Sequence, residues 1–144
     1  MTYNFRKLIF STHVLFLLMS NTIYAAPIDD ARLAANNILK SVHDMKYQDL
    51  WDNMTSDFYK KAITEQSFIN NITLARNPMG KVQSSQGISE AHATYDPDSG
   101  YKGDIFVFDY NTKYDSGDYA ERIVVINENN SGYKMSGLYG VKKN

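Results

Sequence analysis

The sequence predicts an α+β fold, in which N-terminal helices pack on a curved antiparallel sheet of about four strands. Apolar residues recur every three or four positions over residues 29–80, which is the period of an α-helix. From Val82 onward the period changes to two, which is the period of a β-strand. The helices are expected to cover the sheet, because an aromatic strand face left in water would expose a large apolar surface.

The first predicted helix begins at Asp29 and Asp30, whose carboxylates offset the positive end of a helix dipole. It runs to about Lys46. Its apolar face is formed by residues at helical spacing, namely Ala31, Ala34, Ala35, Ile38, Val42 and Met45. A second, shorter apolar stripe follows, formed by Tyr47, Leu50, Trp51 and Met54. Both stripes are predicted to face the sheet.

Two further helical segments are predicted from their capping residues. Thr55 or Ser56 is expected to cap a short turn, and Thr64 is expected to be the N-cap of the third helix. The inner face of that helix is predicted to be Phe68, Ile72 and Ala75. A group of helix-breaking residues ends it, namely Asn77, Pro78 and Gly80.

Four strands are predicted, at residues 82–95, 103–114, 119–127 and 133–142. The first is polar and is expected to bend at Gly87. The third contains an apolar run over residues 123–126, typical of a central strand covered on both faces. In the fourth, Gly137 and Gly140 indicate a bulge, a bend or a close backbone approach. The second strand has an aromatic face that is predicted to turn inward, formed by Phe106, Phe108, Tyr110, Thr112 and Tyr114.

Residues 1–25 have the layout of a secretory signal peptide. Arg6 and Lys7 form a positive region, residues 8–19 are apolar, and a small polar run leads to Ala25. The apolar stretch is about 12 residues long, short of the roughly 20 that a membrane-spanning helix needs. We therefore expect cleavage after Ala25, which leaves residues 26–144 as a single domain. An uncleaved membrane anchor is the alternative.

Composition limits the classes of function. The leader contains two of the 15 basic residues and none of the 16 acidic ones, so the mature chain carries a net charge of −3. A mildly acidic domain has no electrostatic basis for binding nucleic acid or anionic lipid. The absence of cysteine excludes a lipoprotein, a zinc–thiolate site and a cysteine nucleophile. We expect a periplasmic or secreted protein with no stable membrane insertion after cleavage.

Two short runs are the most specific parts of a family resemblance that extends from Ala31 to Tyr139. They are Arg76-Asn77-Pro78-Met79-Gly80 and Gly132-Tyr133-Lys134-Met135-Ser136-Gly137-Leu138-Tyr139. On these residues the chain resembles the bacterial exported domain of unknown function 4019, within the cystatin-like or nuclear-transport-factor-2-like superfamily. Tyr133 stands where that family tends to have tryptophan, and Lys46 where it favours glycine. The resemblance implies a half-cone fold and export, and it brings no catalytic residues with it.

No group of residues in the sequence meets the requirements of a catalytic or metal site. His43 and His92 fall on different predicted elements, and each is expected at the surface or at a sheet edge. The nearest catalytic candidate is Asp109 with Tyr110 and His92, but strand alternation points Asp109 and Tyr110 to opposite faces. We therefore expect no catalytic residue, no metal and no cofactor.

The candidate binding residues are Arg76 and four tyrosines at strand ends, Tyr95, Tyr101, Tyr114 and Tyr119. The Arg76 charge suits the C-terminus of the third helix, and its guanidinium also suits a ligand carboxylate or an acidic group of a partner. The tyrosines lie near polar turns, where they are expected to form a ligand or partner surface. Packing of a sheet rim is the alternative.

These observations favour an exported, non-catalytic binding or protein-interaction module with a protein or peptide partner in the cell envelope. The binding surface is expected at the mouth of the helix-covered sheet or on its exposed face. Two alternatives stay open, which are a hydrolase or isomerase with its site inside the cone and a structural envelope protein. A homodimer formed through an exposed sheet face is a further expectation.

Overall fold

The computed structural model of the chain describes residues 27–144. The predicted leader and its expected cleavage site after Ala25 lie outside the described residues. Within residues 27–144, no helix is both long and apolar enough to cross a lipid bilayer.

The helices precede the sheet along the chain, as predicted. Helix α1 covers residues 27–43, and α2 covers Tyr47–Asp49 and continues as a π-helical turn at Leu50–Met54. Helix α3 covers Asp57–Lys60, and α4 covers Glu65–Arg76. A 3₁₀ turn at Asn77–Met79 follows α4 and leads into the sheet.

Helix α1 ends earlier than the sequence predicts. The Lys46 N–H donates to the Ser41 carbonyl at 2.9 Å, and the Met45 N–H donates to the Val42 carbonyl at 3.2 Å. Together with a φ of 57° at Met45, these bonds form a Schellman motif, which closes a helix. The prediction that Met45 lies on the apolar face is wrong, because the left-handed turn leaves the residue 52 % exposed.

Both capping predictions are confirmed. Ser56 Oγ accepts a hydrogen bond from the Tyr59 N–H at 3.1 Å, ahead of α3. Thr64 Oγ1 accepts one from the Ser67 N–H at 3.3 Å, ahead of α4. Each bond satisfies a backbone donor that the first turn of a helix leaves without an intrahelical partner.

The buried face of α4 includes a charged residue. Its buried side chains are Phe68, Ile72 and Arg76, each four positions after the previous one. The prediction of Ala75 on this face is wrong, because Ala75 is exposed. The spacing of four places residues on one side of a helix, and it therefore delivers the Arg76 guanidinium to the interior.

The four strands form one antiparallel sheet in the order β1-β2-β3-β4. Their bounds are close to the predicted ones, and they are Val82–Tyr95 for β1, Lys102–Tyr114 for β2, Gly117–Asn127 for β3 and Tyr133–Lys142 for β4. The register of β1 shifts between Gly87 and Ser89, at the predicted bend. The register between β3 and β4 also shifts beside Gly137, because Val124 pairs with Gly137 whereas Val125 pairs with Met135.

The helices cover one face of the sheet, which we call the inner face. The aromatic face of β2 lies there, as predicted, and its side chains share a core with those of the helices. This core contains Leu50, Trp51, Phe68, Phe106, Phe108 and Tyr110. The fold is therefore an α+β fold with N-terminal helices on an open four-stranded sheet.

The apolar run of β3 is covered on both faces at one end only. Ile123 and Val125 are fully buried on the inner face. Ile126 points to the opposite, outer face, where it is 1 % exposed, close to Phe58 and Tyr101. Val124 is half-buried on the outer face, so the prediction of cover on both faces is wrong at the middle of the strand.

Candidate functional site

Four polar side chains meet beneath the helices, and we call this group the buried ionic network. It consists of His43 at the end of α1, Arg76 at the end of α4, Tyr114 at the end of β2 and Glu121 on β3. The exposed fractions of the His43, Arg76 and Glu121 side chains are 13 %, 6 % and 0 %. The network thus joins two helices to two strands through charged hydrogen bonds.

Glu121 is the centre of the buried ionic network. Its Oε2 lies 3.0 Å from His43 Nε2, and its Oε1 accepts a hydrogen bond from the Tyr114 hydroxyl at 2.8 Å. Arg76 Nη1 donates to the same Oε1 and also to the Tyr114 hydroxyl, the latter at 2.8 Å. Both carboxylate oxygens therefore have partners within the protein, which is the requirement for burying a charge.

The network determines the charge state of its own members. Burial raises the pKa of Glu121, but the His43 hydrogen bond and the Arg76 charge outweigh burial and lower this pKa to about 2. Burial raises the pKa of Tyr114, whose hydroxyl stays protonated. A carboxylate with so low a pKa is a weak base, and its neighbours already occupy its oxygens. The Glu121 carboxylate therefore has a structural role, which is to fix the position of the Arg76 guanidinium.

The outer face of the sheet carries a broad apolar surface, which we call the outer apolar face. It comprises Ile88, Tyr95, Val107, Val124, Tyr139 and Val141. The exposed fractions of Ile88, Tyr95, Tyr139 and Val141 lie between 51 % and 67 %. These side chains border a shallow depression of about 740 Å³. Uncovered apolar area of this kind is typical of interaction surfaces.

One ion pair crosses the middle of the outer apolar face. Arg122 donates from Nε to Asp109 Oδ1 at 2.7 Å and from Nη2 to Asp109 Oδ2 at 3.1 Å. Ser89 Oγ donates to the same carboxylate at 2.8 Å, and these contacts lower the pKa of Asp109, chiefly through the Arg122 hydrogen bond. The charges of Asp109 and Arg122 cancel, so the outer apolar face contains one neutral ion pair surrounded by apolar side chains.

The structure separates the five predicted binding residues into two groups. Arg76 and Tyr114 meet in the buried ionic network, and the ring of Tyr119 packs on that of Tyr114 with 5.3 Å between centroids. Tyr95 ends β1 and Tyr101 directly precedes β2, so both lie at the opposite end of these two strands from Tyr114. Tyr95 is exposed on the outer face, whereas Tyr101 is half-buried with its ring 5.0 Å from that of Phe58. The four tyrosines therefore do not share one surface.

The two histidines behave differently. His92 lies exposed on the edge strand, as predicted, where it stacks on Phe106 and lies 3.2 Å from Asp104. The prediction for His43 is wrong, because its ring lies inside the buried ionic network. Sequence analysis missed Glu121 as its partner. Strand alternation could have predicted this position, because Glu121, Ile123 and Val125 are two residues apart and therefore share the inner face of β3.

The nearest catalytic candidate from the sequence is divided between the two faces, as strand alternation predicts. Asp109 pairs with Arg122 on the outer face, whereas the Tyr110 hydroxyl donates to Asn36 Oδ1 at 3.0 Å on the inner face. Among residues 27–144, no three His, Cys, Asp or Glu side chains converge in a way that would hold a metal ion.

No curated protein and no solved structure matches the chain. One family model matches residues 34–138, a range that runs from within α1 to β4 and includes all four members of the buried ionic network. The chain therefore belongs to the family described as protein of unknown function (DUF4019).

Proposed function

We propose that this protein is an exported, non-catalytic interaction module that binds a protein partner in the cell envelope on its outer apolar face. The observation that carries the proposal is the exposure of four large apolar side chains on one side of the sheet. The proposal includes removal of residues 1–25 on export. It also includes a place in the cystatin-like or nuclear-transport-factor-2-like superfamily, with the helices and sheet forming a half-cone.

The composition of the outer apolar face supports a protein as the partner. Tyrosine, isoleucine and arginine are present together, and tyrosine and arginine are the residue types that often dominate binding energy at protein interfaces. The depression is broad and shallow, whereas small-molecule sites usually enclose most of their ligand. The Asp109–Arg122 pair needs no counter-charge from a partner, so an apolar surface can cover it at a lower desolvation cost than a lone charge.

The state of the buried ionic network supports binding rather than proton transfer. A general base works best with a pKa near the ambient pH, whereas Glu121 has a pKa of about 2. Its two oxygens are held by His43, Arg76 and Tyr114. The charge of Glu121 therefore stabilises the fold by pairing with buried side chains.

Site-specific photo-crosslinking in the producing cells tests the proposal. A photo-crosslinking amino acid at Tyr139 or Tyr95 is expected to give a discrete covalent adduct in the envelope fraction. Leu74 and Leu33 are matched controls, because they are 73 % and 61 % exposed on the helices. Adducts of twice the monomer mass would identify a second copy as the partner. The absence of a discrete adduct from both outer positions, or equal adducts from Leu74, would overturn the proposal.

The export part of the proposal has a separate test. The intact mass of the protein from the envelope fraction is expected to correspond to a chain that starts at Ala26. A chain that retains residues 1–25 would contradict cleavage while leaving the outer-face proposal open to its own test.

A further inference from the structure

A second cavity lies on the other side of the sheet from the outer apolar face, between α4 and β4. It has a volume of about 220 Å³. Its apolar wall includes Phe68, Ile72 and Leu138. The residues with polar side chains in its lining are Tyr59, Asn71, Arg76 and Tyr139. Among the described residues, no acidic side chain lines this cleft. It is thus an apolar pocket with one cationic group.

Arg76 uses only part of its hydrogen-bonding capacity. Nη1 contacts Glu121, Tyr114 and the sulfur of Met79, the last at 3.6 Å. Nε and Nη2 make no hydrogen bond to residues 27–144. The Arg76 side chain as a whole is 6 % exposed. Nε and Nη2 are not among the fully buried donors that lack a partner, so this edge of the guanidinium is available to donate to water or to a ligand in the cleft.

The free edge of Arg76 lies at the cleft. Gly140, which lines the cleft, pairs with Glu121 across the sheet and so lies on the inner face. A Cβ atom added there would lie 3.7 Å from Arg76 Nη2. The absence of a side chain at Gly140 therefore keeps the space in front of Nη2 open.

One buried donor near Arg76 is without a partner. The Tyr47 hydroxyl makes no hydrogen bond within the described part of the chain. Burial raises the pKa of Tyr47, and the nearby Arg76 charge opposes that shift. The Tyr47 hydroxyl is thus one buried donor without an acceptor close to Arg76, although Tyr47 does not itself line the cleft.

We infer that the cleft between α4 and β4 binds a small carboxylic acid with an apolar body, whose carboxylate accepts from Arg76 Nε and Nη2. The parallel N–H groups on one edge of a guanidinium match the two oxygens of a carboxylate. Glu121 holds the opposite side of the group and so fixes its orientation. Tyr139 borders both the cleft and the outer apolar face, and the other residues that line the cleft are distinct from that face. The inference does not rest on the function proposed for the outer apolar face.

The volume of the cleft sets the size of the ligand. An apolar cavity of about 150 Å³ accommodates benzene in a well-studied protein. A volume of about 220 Å³ therefore suits one ring or a chain of similar size together with a carboxylate. Benzoate and hexanoate are accordingly the probes of choice, and benzamide is an uncharged control with the shape of benzoate.

Binding of the probes is measured by NMR titration of the protein purified from the cell envelope, following the Arg76 Nε–H signal and the backbone amide of Gly140. Benzoate or hexanoate is expected to shift both signals saturably. Benzamide is expected to bind at least about tenfold more weakly, because it lacks the charge and the second acceptor oxygen. Absence of saturable shifts with both acids, or equal binding of benzoate and benzamide, would overturn the inference.

Two variants locate the site. Gly140→Val leaves Arg76 and its partners in place and fills the space before Nη2, so the dissociation constant for the acids is expected to rise at least about tenfold. Val141→Ala, at the next position on the opposite face, is the control and is expected to leave that constant unchanged. Unchanged affinity in the Gly140→Val variant would place the acids elsewhere and would contradict the assignment to this cleft.

Discussion

At the scale of single residues, Glu121 and Arg76 stabilise each other inside the protein. Neither charge would be tolerated alone, because burying an unpaired ion costs several kcal/mol. The pair gains its stability from complete pairing of the carboxylate with His43, Arg76 and Tyr114. This arrangement explains how a charged residue occupies the last position of the α4 inner stripe.

The first prediction concerns the Glu121→Gln variant. This change leaves Arg76 buried without a counter-charge, so the free energy of unfolding is expected to fall by about 3–5 kcal/mol. Urea unfolding followed by tryptophan fluorescence measures the change. The control is Glu90→Gln, whose partner Arg32 is solvent-accessible, and a loss below about 1 kcal/mol is expected there. Equal losses in the two variants would show that the buried pair has no special role.

The second prediction concerns pH. The pKa of Glu121 is lowered to about 2 in the folded protein from an ordinary 4.5, so its ionised form favours the folded state. The contribution is fully present above about pH 4.5 and is lost as the pH falls towards 2, with a total of about 3 kcal/mol. Unfolding curves measured between pH 5 and 2 test this, and the Glu121→Gln variant is expected to lose less stability over that range. A parallel decline in both proteins would assign the acid sensitivity to other carboxylates.

At the scale of helices and strands, much of the fold follows from local signals in the sequence. The strand bounds and the caps at Ser56 and Thr64 are confirmed, because alternation and capping depend on neighbouring residues. The end of α1 could not be predicted in the same way. Schellman motifs usually have glycine or asparagine at the left-handed position, whereas here that position is Met45. The sequence therefore contains no residue that would predict the motif.

The buried ionic network could be predicted only in part. The spacing of Phe68, Ile72 and Arg76 and the alternation of Glu121 with Ile123 each place a charged residue inward. That the two meet depends on how α4 crosses the sheet, which no local pattern encodes. The outer apolar face could be predicted only in general terms, because its exposure depends on the helices leaving most of that face uncovered.

The third prediction belongs to α4. Thr64→Ala removes the cap of the Ser67 N–H, so the free energy of unfolding is expected to fall by about 1 kcal/mol. Thr64→Ser retains the hydroxyl oxygen and is expected to stay close to the parent protein. Chemical denaturation of the three proteins measures both effects, and equal stability of the Ala and Ser variants would show that the cap contributes nothing.

At the scale of the whole molecule, the two faces of the sheet differ in how they are covered. The inner face is filled by helices, by an aromatic core and by the buried ionic network. The outer face keeps large apolar side chains in contact with solvent, which favours association with another surface. Binding on the outer face is therefore expected to be separable from folding.

The fourth prediction tests this separation. Ile88→Lys and Val141→Lys replace side chains that are 52 % and 67 % exposed, so together they are expected to change the free energy of unfolding by less than about 1 kcal/mol. Lysine also discourages edge-to-edge pairing of strands. Thermal and urea unfolding measure the effect, and a loss of several kcal/mol would mean that the outer face is part of the folding core.

The most direct test of the interaction role is the yield of the photo-crosslinked adduct from Tyr139 in producing cells, with and without the Ile88→Lys and Val141→Lys changes. The proposed role predicts a discrete adduct that falls at least about tenfold in the variant while the variant remains folded. An adduct of unchanged yield in the folded variant would contradict binding on the outer apolar face.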